Sequence, residues 1–170
     1  MACYNDRMAK ILISGVPGTG KTTVAEHLAH YFGYQHTDME ADSFRPRREL
    51  EQDPAAFIGG LAAVENVVVS WGFSPYIDRP GVDSLIAAGY RFVWLDGDHV
   101  VTLRNFLARE RNDPRQEANY YGQMQMILST ELVDRLKPIC IDPFTGNEFR
   151  PLEEIAVEII SKTTSPGPAA

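Results

Sequence analysis

Lys21 and Thr22 end the run Gly15-Val16-Pro17-Gly18-Thr19-Gly20-Lys21-Thr22, which meets G-x-x-x-x-G-K-[ST] at every fixed position. Glycines let such a loop turn tightly enough for its backbone N–H groups to converge on an anion. Lys21 would then span the β- and γ-phosphates of a nucleoside triphosphate, and the Thr22 hydroxyl would hold Mg²⁺. Gly15, Pro17, Gly18, Thr19, Gly20 and Thr23 complete the expected cradle. A second group is Asp38, Glu40 and Asp42, three carboxylates in five residues, followed by Arg45, Arg47 and Arg48. The acids suit proton removal from an attacking hydroxyl, or they form a solvated acidic turn. The arginine forks suit an anionic or polyhydroxylated acceptor, although for any one of them an exposed helix face is the plainer reading. Trp71 and Phe73 are aromatic candidates for an acceptor pocket, with a core role the equal alternative.

The elements around these residues give the glycine loop its meaning. Lys10–Ser14 reads as a buried strand and Thr22–Phe32 as a helix with Val24, Leu28 and Tyr31 on one face, so the loop joins strand to helix. The helix start adds unpaired N–H donors and partial positive charge. Gly33 stops that helix, and Gln35–Thr37 forms a strand that delivers Asp38, Glu40 and Asp42 to the crevice beyond its C-terminal end. Further strands are expected at 67–70, 91–95 and 137–141. Helices are expected at about 53–64, 83–88, 99–111 and 117–135, and from Pro151 onward. Asp142–Gly146 reads as a turn. Strands alternating with helices predict an α/β fold in three layers, a five-stranded parallel sheet with helices on both faces. Asp96, after the 91–95 strand, reads as a turn or helix-start residue, since no glutamate follows it to activate water. His27 and His30 read as surface residues.

Bulk properties narrow the classes. The 170 residues suit one domain, and 44% hydrophobic with 23% charged residues is ordinary for a globular protein. A net charge of −7 argues against a nucleic-acid or anionic-membrane surface. Two cysteines far apart, Cys3 and Cys140, form neither a disulfide framework nor a zinc motif, and Cys140 is expected to be buried in a strand. No apolar run is long enough for a membrane span, and residues 1–7 lack a signal core, so a cytoplasmic protein is expected. Residues from about 163 read as a disordered tail. The oligomeric state, monomer or homodimer, stays open.

Over most of its length the chain resembles the small P-loop kinases, the group of gluconate kinase, shikimate kinase and the nucleoside monophosphate kinases. Gly15–Thr23 is common to the group. Phe92–Asp98 followed by a helix ending in arginines, the Gln123 region and Asp42–Arg48 are similar to gluconate kinase, with Arg45 where that family has histidine. The family's lysine after the third strand is absent from Ser70-Trp71-Gly72-Phe73-Ser74. The resemblance implies the P-loop NTPase fold and ATP as phosphoryl donor. It also implies that Asp38 holds a Mg²⁺-bound water while Glu40 or Asp42 accepts the substrate's proton. Arg109 corresponds to a lid arginine that reaches the phosphates, flanked by Arg111 and Arg115 in a short lid at about 109–120. Arg104 lies near an adenine-contacting arginine, with Asn105 at the aligned position. Asp42, Arg45, Arg48, Trp71 and Phe73 are the expected acceptor contacts.

The leading expectation is transfer of the γ-phosphoryl group of Mg-ATP to a hydroxyl of a sugar acid or similar metabolite. The alternatives are a nucleoside or nucleotide kinase and, less favoured, a nucleotide-dependent ATPase or switch. An acid cluster favours an alcohol acceptor, because a phosphate acceptor needs no base.

Overall fold

The computed structural model describes residues 9–109 and 113–164. Cys3, Arg111 and residues 165–170 lie outside them; Thr163 and Thr164, expected in a disordered tail, instead end the last helix, where Thr163 is buried. Five strands form a parallel sheet in the order β2-β3-β1-β4-β5: β1 (Lys10–Gly15), β2 (Gln35–Asp38), β3 (Val67–Ser70), β4 (Arg91–Leu95) and β5 (Ile139–Ile141). Gly15 pairs with Leu95, Leu95 with Ile141, and Asp38 with Ser70, so these strand ends share one edge.

The central strands β1, β3 and β4 are apolar on both sides, and alternation sorts their residues into two cores. Ile11, Ile13, Val68, Val93 and Leu95 pack under α1 (Lys21–Phe32) and α8 (Leu152–Thr164). Leu12, Val67, Val69, Phe92 and Trp94 face the other way. Against them lie α2 (Ala41–Gln52), α3 (Pro54–Ala62), α4 (Arg79–Ala87), α5 (His99–Arg109), α6 (Pro114–Ser129) and α7 (Leu132–Leu136). Each fully buried Leu, Ile or Val contributes roughly 1.5–3 kcal/mol, so the central strands anchor the sheet edge that carries the loop.

Several boundaries differ from the sequence reading. The stretch at 117–135 is two helices, not one. Thr130 Oγ1 donates back to the Met126 and Ile127 carbonyls, and Glu131 turns left-handed at φ 50°. The start of α6 lies earlier than expected, where Asp113 caps it by accepting from the Arg115 N–H. Likewise α4 begins at Arg79 rather than 83. The turn at 142–146 opens a hairpin, β6 (Phe144–Thr145) and β7 (Glu148–Phe149), around Gly146 at φ 59°. Cys140 is exposed, because β5 is an edge strand. Of the expected lid at 109–120, residues from 114 onward are the first turns of α6. Among the described residues no helix is long and apolar enough to cross a membrane.

Candidate functional site

The glycine loop leaves β1 and is pinned on all sides. Val16 N–H donates to Leu95 O at 3.0 Å, and the buried Thr19 hydroxyl donates to Val16 O at 2.7 Å. Gly18 has φ 87°, and a Cβ there would stand 2.1 Å from the Thr102 carbonyl of α5. Only glycine lets the loop lie this close to α5. Lys21 donates from Nζ to the Gly15 and Val16 carbonyls, both at 3.3 Å. Burial lowers its pKa to about 8, against opposing pulls from Glu40 and Asp38.

At the end of β2, the side chain of Met39 is fully buried and its N–H donates to Ser70 O. That anchor leaves the flanking acids free to turn toward the sheet edge. Asp38 Oδ2 accepts from the Thr22 hydroxyl at 3.4 Å and Oδ1 accepts from the Glu40 N–H at 2.9 Å. Glu40 lines a cleft of about 780 Å³ together with Lys21, Thr22 and Arg109. Burial raises its carboxyl pKa, with Lys21 pulling the other way. Glu40 Oε1 lies 2.9 Å from where a Cβ on Gly72 would stand, so the bare backbone after β3 makes room for this carboxylate. Two oxygen donors, Thr22 Oγ1 and Asp38 Oδ2, side by side in a phosphate cradle match what Mg²⁺ takes from a protein, with waters and phosphate oxygens supplying the rest. No group of three or more His, Cys, Asp or Glu side chains that could hold a metal ion occurs among the described residues.

The structure thus gathers Pro17, Gly18, Gly20, Lys21, Thr22, Thr23, Glu40 and Arg109 around one cleft, with Asp38 hydrogen-bonded at its rim. It separates the other expected contacts. Three successive left-handed residues, Asp42, Ser43 and Phe44 (φ 47°, 55° and 64°), redirect the chain after Glu40. Asp42 ends exposed and paired with Arg45 at 3.0 Å, and Arg48 donates to the Ser43 carbonyl. None of Asp42, Arg45 or Arg48 lines the cleft. Trp71 and Phe73 are core residues: Trp71 is 2% exposed, edge-on to Phe73 at 5.8 Å, and Phe73 stacks on toward Phe92. Arg104 points to the hairpin, donating to Asn147 O at 2.7 Å, and Asn105 lines the cleft in its place. Arg109 lies over the Phe106 ring, its Cζ 5.3 Å from the centroid. Arg47 forms an ion pair with the buried Asp78 at 2.7 Å, although Asp78 Oδ1 has no hydrogen bond of its own.

Further cleft residues, Gly72 and Phe106 among them, were not among the expected contacts. Phe149 of β7 lies over Gly20, and Leu152 lines the wall beside it. Gln116, Asn119 and Gln123 share one face of α6; their spacing of three and four is a one-face signature once the helix start is known.

Comparison with known proteins places this geometry. Residues 11–69, from β1 through most of β3, match the model of the ATPase family associated with various cellular activities (AAA). A replication factor C large subunit from Staphylothermus marinus is 26% identical over 150 residues, covering 85% of this chain. The chain spans only 34% of that relative's length. Among solved structures, a gluconokinase from Sinorhizobium meliloti 1021 superposes with a TM-score of 0.58 at 22% identity, covering 92% of each chain. A shikimate kinase from Acinetobacter baumannii, in complex with shikimate, reaches 0.64 at 18% identity over 94% of this chain and 97% of its own. The tunicamycin resistance protein of Deinococcus radiodurans reaches 0.63 at 16% identity, covering 93% and 96%. The chain therefore resembles the small P-loop kinases and carries their three-layer fold, with the phosphate-loop pattern where the first strand meets the first helix.

Proposed function

We propose that this chain is a phosphotransferase that moves the γ-phosphoryl group of Mg-ATP to a hydroxyl of a small metabolite. The observation that carries the reading is Glu40 beside Lys21 in one cleft, with Thr22 and Asp38 paired at the same edge. Lys21 and the loop N–H groups hold the phosphate chain. Thr22 and Asp38 would hold Mg²⁺, which would supply charge neutralisation at the phosphate oxygens. Glu40 orients the acceptor hydroxyl and takes its proton as the acceptor oxygen bonds to γ-phosphorus. The bond from γ-phosphorus to the bridging oxygen breaks, and its electron pair leaves with ADP. A carboxylate acting as general base at that position supplies about 10²- to 10⁴-fold in rate. Arg109 covers the phosphate end from α5, which favours transfer over hydrolysis.

The test is ADP release with Mg-ATP and a panel of hydroxylated metabolites, nucleosides and monophosphates, measured above the rate without acceptor. Acceptor-dependent release that Lys21→Ala abolishes is expected. Wild-type binding and turnover in Lys21→Ala would remove the site assignment. A second reading, a nucleotide-dependent ATPase, is favoured by the AAA match over residues 11–69. Steady ATP loss with no acceptor dependence would support it. Against it, β3 ends in Ser70 with no acid, and Asp96 accepts from the Gly97 N–H in a turn.

A further inference from the structure

The polar wall of the cleft is made of carboxamides. Asn119 Nδ2 donates to Gln116 Oε1 at 2.9 Å, and Gln123 Nε2 donates to Asn119 Oδ1 at 3.1 Å, forming a ladder along the cleft-facing side of α6. Each amide has two N–H groups and two lone pairs, so a ladder with one bond per step keeps both donors and acceptors free. Among the described residues, the charged groups lining the cleft are Lys21, Arg109 and Glu40. Lys21 belongs to the phosphate loop, and Arg109 lies close enough to act electrostatically on both Lys21 and Glu40. The arginines that follow Glu40 are engaged elsewhere: Arg45 with Asp42, Arg47 with Asp78 and Glu51, and Arg48 with the Ser43 carbonyl.

We infer that the acceptor is an uncharged, hydroxyl-rich molecule such as a polyol, sugar or nucleoside, held by the Gln116–Asn119–Gln123 amides; this rests on the phosphotransferase reading above. A carboxylate or phosphate on the acceptor would enter beside an anionic Mg-triphosphate and the Glu40 carboxylate. The two cations already serve the phosphate end, so that second anion would be desolvated without a counter-charge of its own. Hydroxyls need no counter-charge, and each can donate to an amide oxygen and accept from an amide N–H. The reaction balances as written for the alcohol: the acceptor oxygen–phosphorus bond forms, the bond to ADP breaks, and the hydroxyl proton leaves through Glu40.

The experiment uses the full chain with Mg²⁺ and γ-labelled ATP. The acceptor source is a nucleotide-free small-molecule extract, divided on an anion exchanger into an unretained, uncharged pool and a retained, anionic pool. Label passing mainly into products of the unretained pool is expected. Products of the retained pool formed at an equal or higher rate overturn this inference while leaving the phosphotransferase standing. Label in neither pool, with ATP hydrolysed or untouched, removes both. With the labelled acceptor in hand, Asn119→Ala and Gln123→Ala should each raise its KM about two- to tenfold, with the KM for ATP within about twofold of wild type. Unchanged acceptor KM in both variants would refute the amide contacts.

Discussion

Gly72→Ala would place a methyl carbon 2.9 Å from Glu40 Oε1. Ordinary carbon–oxygen contacts begin near about 3.3 Å, so the carboxylate must retreat by roughly half an ångström or more. The group displaced is the far end of a flexible side chain, and Gly72 carries no left-handed strain, so folding should be nearly unaffected. If Glu40 is the base, its proton-accepting oxygen is then out of line with the acceptor hydroxyl. A misplacement approaching 1 Å costs up to about 10²-fold, so kcat should fall roughly 10- to 100-fold, or about 1.4–2.7 kcal/mol in the barrier. Initial rates of ADP release at saturating Mg-ATP and acceptor measure this, beside ATP affinity and thermal melting as controls. Glu40→Gln should itself lose about 10²- to 10⁴-fold. In that background the added methyl should cost less than about threefold, because no base remains to be displaced. Wild-type kcat in Gly72→Ala, or the full single-mutant loss repeated on top of Glu40→Gln, would refute the assignment.

The affinity for ATP should depend on pH through Lys21. Its pKa of about 8 in the free protein rises when a phosphate chain faces the ammonium, so above that pH binding must take up a proton. Calorimetry across roughly pH 6.5–9.5 should show Kd rising by up to about tenfold per unit above 8, and Lys21→Ala should lack this limb; a flat wild-type profile would contradict the burial argument. Arg47→Ala leaves Asp78, whose side chain is 2% exposed, without its cation. The loss should be about 2–4 kcal/mol, seen as a melting temperature lower by roughly 5–12 °C. Burial already raises the Asp78 carboxyl, so the folded form holds its proton more tightly than the unfolded chain. The stability deficit should therefore shrink as pH falls toward that raised pKa; a deficit that stays constant down to the acid limit of the fold would show that Asp78 is not its source.

The central strands were legible because β1, β3 and β4 are short apolar runs, each closed by a turn signal. The helix breaks were less so. Met124, Ile127, Leu128 and Leu132 continue one periodicity across a junction where only backbone bonds from Thr130 and a left-handed Glu131 end α6. The 144–149 hairpin did leave a trace, a Gly146-Asn147 pair of the kind that closes two-residue turns. Its strands have only two residues each, too few for alternation to register.

The two halves of the cleft were unequally readable for a physical reason. The phosphate cradle is built almost wholly from consecutive residues, so its chemistry is a local pattern, and the AAA match covers the segment that contains it. The acceptor wall draws Glu40, Gly72, Arg109 and the α6 amides from segments far apart in the chain. What brings each of them in is packing. Met39 is buried and so turns Glu40 outward; three left-handed residues with no glycine or asparagine among them carry Asp42, Arg45 and Arg48 away. An arginine cluster beside an acid cluster reads as an anion site in one dimension, yet here Arg45 and Arg47 neutralise neighbouring carboxylates and Arg48 a backbone carbonyl. The glycine loop, set between its strand and its helix, carries the donor half of the proposed chemistry. The acceptor half is our inference from the charges that line the cleft among the described residues, Lys21, Glu40 and Arg109.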